Sequence, residues 1–104
     1  MTEPWIGFVH LRCLPGSDAL GGFPGGYAHV LALANDDAGY RRAVDAEMNA
    51  EGIFVEEFSD VAPVEAYRRS GRMHDPELRA LVKALSTDFP VQYRTIDTYP
   101  ADDA

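Results

Sequence analysis

Residues 27–58 read YAHVLALANDDAGYRRAVDAEMNAEGIFVEEF and contain two apolar runs joined by an amphipathic segment. The run 27–34 is apolar on both faces apart from His29, which is typical of a central strand. The run 53–58 predicts a second strand. Because a helix connects them as a βαβ crossover, we expect the two strands to run parallel.

The connecting segment has the signals of an amphipathic helix over residues 36–51. The sequence Asn35-Asp36-Asp37 supplies N-cap chemistry and negative charge at the start of the helix. Gly52 follows the last turn, where a C′ glycine belongs. The apolar stripe that should face a core consists of Tyr40, Val44 and Met48 with the alanines Ala43 and Ala50.

Two more elements flank this unit. Residues 5–14 alternate enough to predict a strand, which Pro15 stops. Asp75 and Pro76 are a strong start signal for a helix over 76–88. Its core-facing stripe has the spacing i, i+3, i+4, i+7 and consists of Leu78, Leu81, Val82 and Leu85.

The remaining segments are less regular. Residues 60–71 are ambiguous, although Pro63 could open a short helix. Residues 91–99 predict the last strand, with Tyr93, Thr95, Asp97 and Tyr99 sharing one face as an exposed binding or dimer surface. Residues 100–104 predict a frayed acidic tail.

The element order predicts a single α+β domain over residues 1–104. We expect a two-layer sandwich with a four-stranded mixed sheet and with helices 36–51 and 76–88 on one face. This arrangement resembles the ferredoxin-like group or a variant of it, as an architectural likeness that no specific motif carries.

The segment GSDALGGFPGGYAHV, residues 16–30, is the one stretch that looks like a motif. A phosphate loop needs a helix after its glycines, and the Walker form also needs a lysine. Here a strand follows, so we predict a flexible Gly/Pro loop over 15–26 and no phosphate site. We expect positive φ angles at Gly21, Gly22, Gly25 and Gly26. Whether Phe23 contacts a partner is left open.

Charge is unevenly distributed along a chain whose net charge is −8. Residues 36–65 hold nine acids and two arginines, whereas residues 66–83 hold five bases and two acids. The acidic balance argues against nucleic acid and against an anionic membrane as partners. It suits attraction of a basic protein, or simply solubility.

Cys13 is the single cysteine, which excludes an internal disulfide and fits a reducing compartment. With no signal peptide and no apolar run long enough to span a bilayer, a cytoplasmic location is the expectation.

No residue pattern points firmly to catalysis. His10 and Cys13 lie three residues apart in a strand and should point to opposite faces, so we predict no metal and no cofactor. Glu56 and Glu57 should also face opposite sides unless the strand bulges. His29 is expected to be a hydrogen-bonded core histidine, with a ligand contact or a general base as the alternative.

The leading hypothesis is a small, acidic, cytoplasmic interaction protein, in concrete form a bacterial immunity or antitoxin-type inhibitor that binds a basic toxin. The alternatives are a small-molecule-binding regulatory α+β domain acting as a homodimer, and a cofactor-free enzyme of the dimeric α+β barrel kind with His29 or His10 as base. For the leading hypothesis the expected partner-binding residues are Glu47, Glu51, Glu56, Glu57 and Asp60.

Overall fold

The computed structural model describes residues 2–73, 75–93 and 96–99. Thr95 and the tail 100–104, for which the sequence carried predictions, lie outside this range. The elements in chain order are β1 (Glu3–Cys13), β2 (Gly25–Ala34), α1 (Asp37–Ala50), β3 (Ile53–Pro63), α2 (Val64–Arg69), α3 (Pro76–Ala84), β4 (Val91–Tyr93) and β5 (Asp97–Tyr99).

The sheet has the strand order β3-β1-β2-β4, with β5 also paired to β2. The predicted α+β class is therefore confirmed. Four strands follow the order above, and β5 is a fifth strand, because the predicted last strand is divided into β4 and β5. The sheet is not mixed, because all of these pairs are antiparallel. β2 and β3 do run in the same direction, as the crossover requires, yet β1 lies between them. The predicted crossover from β2 through α1 to β3 is thus present, with one strand between its two strands. β1 and β2 form an antiparallel hairpin, and the ferredoxin-like topology is not confirmed.

α1 and one face of the sheet form the predicted two-layer sandwich. Asp36 caps the helix by accepting a 2.7 Å hydrogen bond from the Gly39 N–H. Of the predicted stripe, Tyr40, Val44 and Met48 are buried and Ala43 is partly buried, whereas Ala50 is exposed. The buried residues pack against the apolar residues that β1 and β2 direct to this face. These residues are Val9, Leu11, Ala28, Val30 and Ala32.

The second helix layer differs from the prediction, because α2 and α3 pack on the opposite face of the sheet from α1. Ile6 and Leu31 are directly paired and point away from α1. Both are fully buried against α2 and α3, whose contributions to this cluster include Val64, Tyr67 and Leu78. The physical reason is that the central strands are apolar on both faces at this end, so each face needs its own cover.

α3 ends at Ala84, four residues before the predicted helix end. The Leu85 backbone is extended, and the Ser86 hydroxyl accepts a hydrogen bond from the Phe89 N–H. Serine side chains that bond locally in this way favour turns over helix continuation. The short helix that Pro63 was expected to open is present as α2.

Two irregularities in β3 decide where its acids lie. The pairing of β1 with β3 shifts register between Ile6 and Phe8 and again between His10 and Leu11. The second shift lies at Glu56, so Glu56 and Glu57 are both exposed instead of one being turned into the core. Asp60 has a φ of 52°, a left-handed conformation that lies at the first shift.

The glycine loop between β1 and β2 is anchored by Leu20, which is only 6% exposed and packs with the α1 core. Gly21 and Gly22 have the expected positive φ, but Gly25 and Gly26 do not. Those two glycines lie in β2, where the segment 96–99 approaches both of them closely and the Leu11 carbonyl oxygen of β1 also approaches Gly25. The flexibility of the loop stays a prediction.

Candidate functional site

A cluster of rings lies on the face of the sheet that α2 and α3 cover only at one end. Beyond Ile6 and Leu31, β1 and β2 direct further side chains to this face, and these remain partly exposed to solvent. We call this region the open face. It comprises Phe8, His10, Arg12, Tyr27, His29, Phe54, Glu57, Ser59, Asp97 and Tyr99.

Tyr27 is at the centre of the ring cluster. Its ring stacks with His10, with centroids 4.6 Å apart and planes 16° from parallel. It also stacks with Phe8, with centroids 5.7 Å apart and planes at 5°. Although it makes both contacts, Tyr27 is 40% exposed. Large aromatic surface left open to water in this way marks an interaction site more often than a folding requirement.

Tyr99 reaches the cluster across a glycine. Its hydroxyl lies 2.9 Å from His10 Nε2, and its ring contacts both His10 and Tyr27. A Cβ at Gly25, the residue paired with Tyr99, would lie 2.5 Å from the Tyr99 hydroxyl oxygen. Gly25 therefore makes the room that lets β5 bring its tyrosine over β2 to the histidine. The resulting hydrogen-bonded pair of imidazole and phenol could exchange a proton.

A small cavity opens beside the rings on the β3 side. It has a volume of about 210 Å³ and is lined by Phe8, His10, Tyr27, Glu57 and Ser59. In the β1–β3 register Phe8 is paired with Ser59, and His10 with Glu57. The Ser59 hydroxyl donates a hydrogen bond to the Phe8 carbonyl at 3.1 Å. Glu57 is exposed and makes no ion pair with any described residue.

The five predicted partner-binding acids fall into two groups. Glu47 and Glu51 lie on α1 near Tyr93 of β4, where burial first, then Glu51 and Glu47, raise the pKa of the tyrosine. The other three, Glu56, Glu57 and Asp60, lie on β3. Glu57 points to the face of the sheet away from α1, because it is paired with His10.

Within the β3 group the environments differ. Glu56 forms an exposed 3.3 Å ion pair with Arg12, whereas Glu57 lines the cavity beside the rings. Asp60 lies nearer α2, where its carbonyl accepts a 3.2 Å hydrogen bond from the Tyr67 hydroxyl. Of the five predicted acids, Glu57 is the one that the structure brings to the open face.

The last strand was predicted to place Tyr93, Asp97 and Tyr99 on one face, and this is wrong for Tyr93. Tyr93 is paired with Val30 and packs with the α1 core, whereas Asp97 is paired with Tyr27 on the open face. Tyr93 and Asp97 are four residues apart, but their partners Val30 and Tyr27 are three residues apart on β2. Residues an odd number apart on a strand face opposite sides, so Tyr93 and Asp97 do as well.

His10 and Cys13 lie on opposite faces, as expected. His10 is on the open face, whereas Cys13 packs towards the α1 core and donates a hydrogen bond from Sγ to the Ser17 carbonyl at 3.1 Å. His29 is half-buried on the open face, with its ring 5.1 Å from that of Phe8. No group of His, Cys, Asp or Glu in the described part of the chain could hold a metal ion.

The ring cluster was missed as a unit by the sequence analysis, although its signal is present. Aromatic and imidazole residues alternate with apolar ones at Phe8 and His10 and again at Tyr27 and His29. Period-two alternation in two neighbouring strands places such residues on one face, once the hairpin register is known.

Comparison with protein-family models, with curated proteins and with solved structures found no match to this chain. None of the helices in ranges 2–73, 75–93 and 96–99 combines the length and apolarity needed to cross a membrane.

Proposed function

We propose that this chain is a non-enzymatic interaction protein that binds a basic protein partner through the open face. An immunity or antitoxin-type inhibitor of a basic toxin is the concrete form of this proposal. The observation that carries it is the exposed ring stack around Tyr27, with the carboxylate of Glu57 beside it.

The composition of the open face supports a protein partner. Tyrosine and phenylalanine are enriched in interface cores because they bury a large area with few rotatable bonds. Phe54, 44% exposed, extends the rings towards the β3 edge. The face thus combines an apolar centre with polar residues around it, which is the usual organisation of an interface.

Charge supports a basic partner over a second copy of the chain. The net charge of −8 repels a like molecule and attracts a positively charged one. Glu57 and Asp97 place negative charge on the open face itself. Arg12 lies on the same face, and its charge is balanced by Glu56 in a 3.3 Å ion pair. The basic residues of α2 and α3 lie at the covered end, where Glu65 already pairs with Arg68 at 2.6 Å.

The cavity size favours a partner side chain over a free small molecule. Ligand pockets usually measure about 300–1,000 Å³, whereas the cavity beside Glu57 measures about 210 Å³. A space of this size suits one inserted side chain of a larger partner.

The site can be tested by following backbone amide shifts during titration with decalysine at low and high salt. The expected shifts map to Phe8, Tyr27 and the β3 residues of the open face. Glu57→Gln should weaken binding, whereas the matched variant Glu47→Gln, on the α1 side, should not. Shifts confined to α1, or an equal effect of the two variants, would contradict the proposal.

A homodimer that buries the open face is a second candidate, favoured by the same exposed Tyr27 ring. Sedimentation equilibrium separates the two, because the main proposal expects the 11.4 kDa monomer at all concentrations of the free protein. A species of twice this mass that Tyr27→Ala converts to monomer would favour the homodimer instead.

A further inference from the structure

We propose that the cavity between Phe8, His10 and Glu57 receives the guanidinium of one arginine of the basic partner. This inference rests on the proposed function and specifies the anchor of the interface. It distinguishes arginine from lysine, which net charge alone cannot do.

The spacing of the two β1 residues fits a planar group. Residues two apart in a strand are separated by about 6.7 Å. One flat group between two such side chains has van der Waals contact, about 3.5 Å, on each side. From the β2 side, the Tyr27 ring already stacks with both Phe8 and His10, with planes 5° and 16° from parallel.

On the β3 side the corresponding positions carry Ser59 and Glu57, which have no ring to fill the gap. The cavity is the space that results. A second planar group entering from solvent on this side would therefore lie in the same layer as the Tyr27 ring.

Glu57 makes the cavity selective for a planar cation. It is exposed at the cavity rim, and the nearby Arg12 is engaged by Glu56. A guanidinium can stack on a ring with its flat face and at the same time donate two hydrogen bonds to a carboxylate. A lysine ammonium is a compact point charge and cannot do both in a slot.

The fold itself contains this kind of stacking at two other places. The guanidinium carbon of Arg72 lies 3.8 Å from the centroid of the Tyr67 ring. Arg41 lies 5.2 Å from the centroid of Phe58 and also pairs with Asp37. In the second case one arginine contacts a ring and a carboxylate together, which is the arrangement inferred for the partner's arginine.

The test compares deca-arginine with decalysine, which carry equal charge, by calorimetric titration of the full chain. We expect deca-arginine to bind the unmodified protein about 10-fold more tightly, the ratio that a charge-assisted, stacked contact supplies. Glu57→Gln and, separately, Ser59→Phe, which fills the gap from an exposed strand position, should reduce the ratio to near one. Glu47→Gln should leave it unchanged.

The outcomes separate this inference from the proposed function. An equal affinity for the two peptides, or a ratio that survives both open-face variants, would overturn the arginine slot. If decalysine still shifts the amides of the open face in that case, the proposed function stands. If neither peptide shifts them, both the proposed function and the slot fail.

Discussion

Substituting Gly7 by alanine should weaken the packing of α1 on the sheet, because the new methyl group would collide with the Tyr40 hydroxyl. The Tyr40 hydroxyl donates a 2.7 Å hydrogen bond to the Val30 carbonyl. It reaches that carbonyl across Gly7, which is paired with Val30. A Cβ at Gly7 would lie 2.7 Å from the hydroxyl oxygen and 3.1 Å from Val61 Cγ2. Glycine is therefore required at position 7, because the Tyr40 side chain occupies the space that a Cβ at this position would need.

The expected magnitudes follow from these contacts. Gly7→Ala overpacks a fully buried site and should lower the free energy of unfolding by about 1–3 kcal/mol. Tyr40→Phe removes the hydrogen bond at a cost of about 0.5–1.5 kcal/mol. In the double variant the new methyl group no longer meets the hydroxyl, so the combined loss should be smaller than the sum by about 1 kcal/mol.

Urea denaturation of the four proteins measures this coupling directly. In the double variant the new Cβ still lies 3.1 Å from Val61 Cγ2 and 3.2 Å from the ring carbon Cε1 of residue 40, so we expect partial and not complete recovery. If the two losses add within about 0.5 kcal/mol, the sites are independent, and the argument that the hydroxyl requires Gly7 is refuted.

Three further predictions concern the helix layer formed by α2 and α3, the ring cluster, and the dependence of stability on pH. Leu78→Ala should lower the free energy of unfolding by about 2–5 kcal/mol, because Leu78 is only 4% exposed. Leu85→Ala should lower it by less, because Leu85 is half-buried, and urea denaturation measures both. Gly25→Ala should break the contact between His10 and Tyr99, which the imidazole NMR shifts of His10 will report. Burial raises the pKa of Tyr40 above its ordinary value of 10, so its contribution to stability is complete below pH 10 and falls at higher pH. Tyr40→Phe should flatten the alkaline part of the stability profile measured by urea denaturation.

The helices and strands could be predicted where local chemistry determines them. Asp36 and the stripe of α1, Asp75 and Pro76 before α3, and Pro63 before α2 are each a signal contained within a few residues. The hydrogen bonds and burial that these residues make in the structure are the ones such signals predict.

The strand order and the face that each helix covers could not be predicted, because they depend on pairing between residues that are distant in the sequence. Nothing local reports that β1 lies between β2 and β3, or that Ile6 and Leu31 need a helix layer of their own. Tyr93 and Asp97 pair with β2 residues that are an odd number apart, so they face opposite sides of the sheet instead of the same side. Without the register, the alternating rings of β1 and β2 could not be assembled into one surface.

The acids were predicted as one surface because they are near one another in sequence. α1 covers one face of the sheet, whereas Glu57 lies with His10 on the other face, so Glu47 on α1 is separated from Glu57 by the sheet. The charge counted along the sequence indicated that an expected partner would be positively charged, but it did not indicate the surface of this protein at which the partner would bind.

The central claim, that a basic partner binds the open face, is tested most directly by photo-crosslinking in cells that naturally contain the chain. Benzoylphenylalanine is introduced at Phe54, on the open face, and separately at Ala46, which is exposed on α1. We predict that the Phe54 position alone captures a protein, and that this protein is basic. Capture of an acidic protein or of a second copy of the chain from Phe54, or capture from Ala46 alone, would contradict the claim.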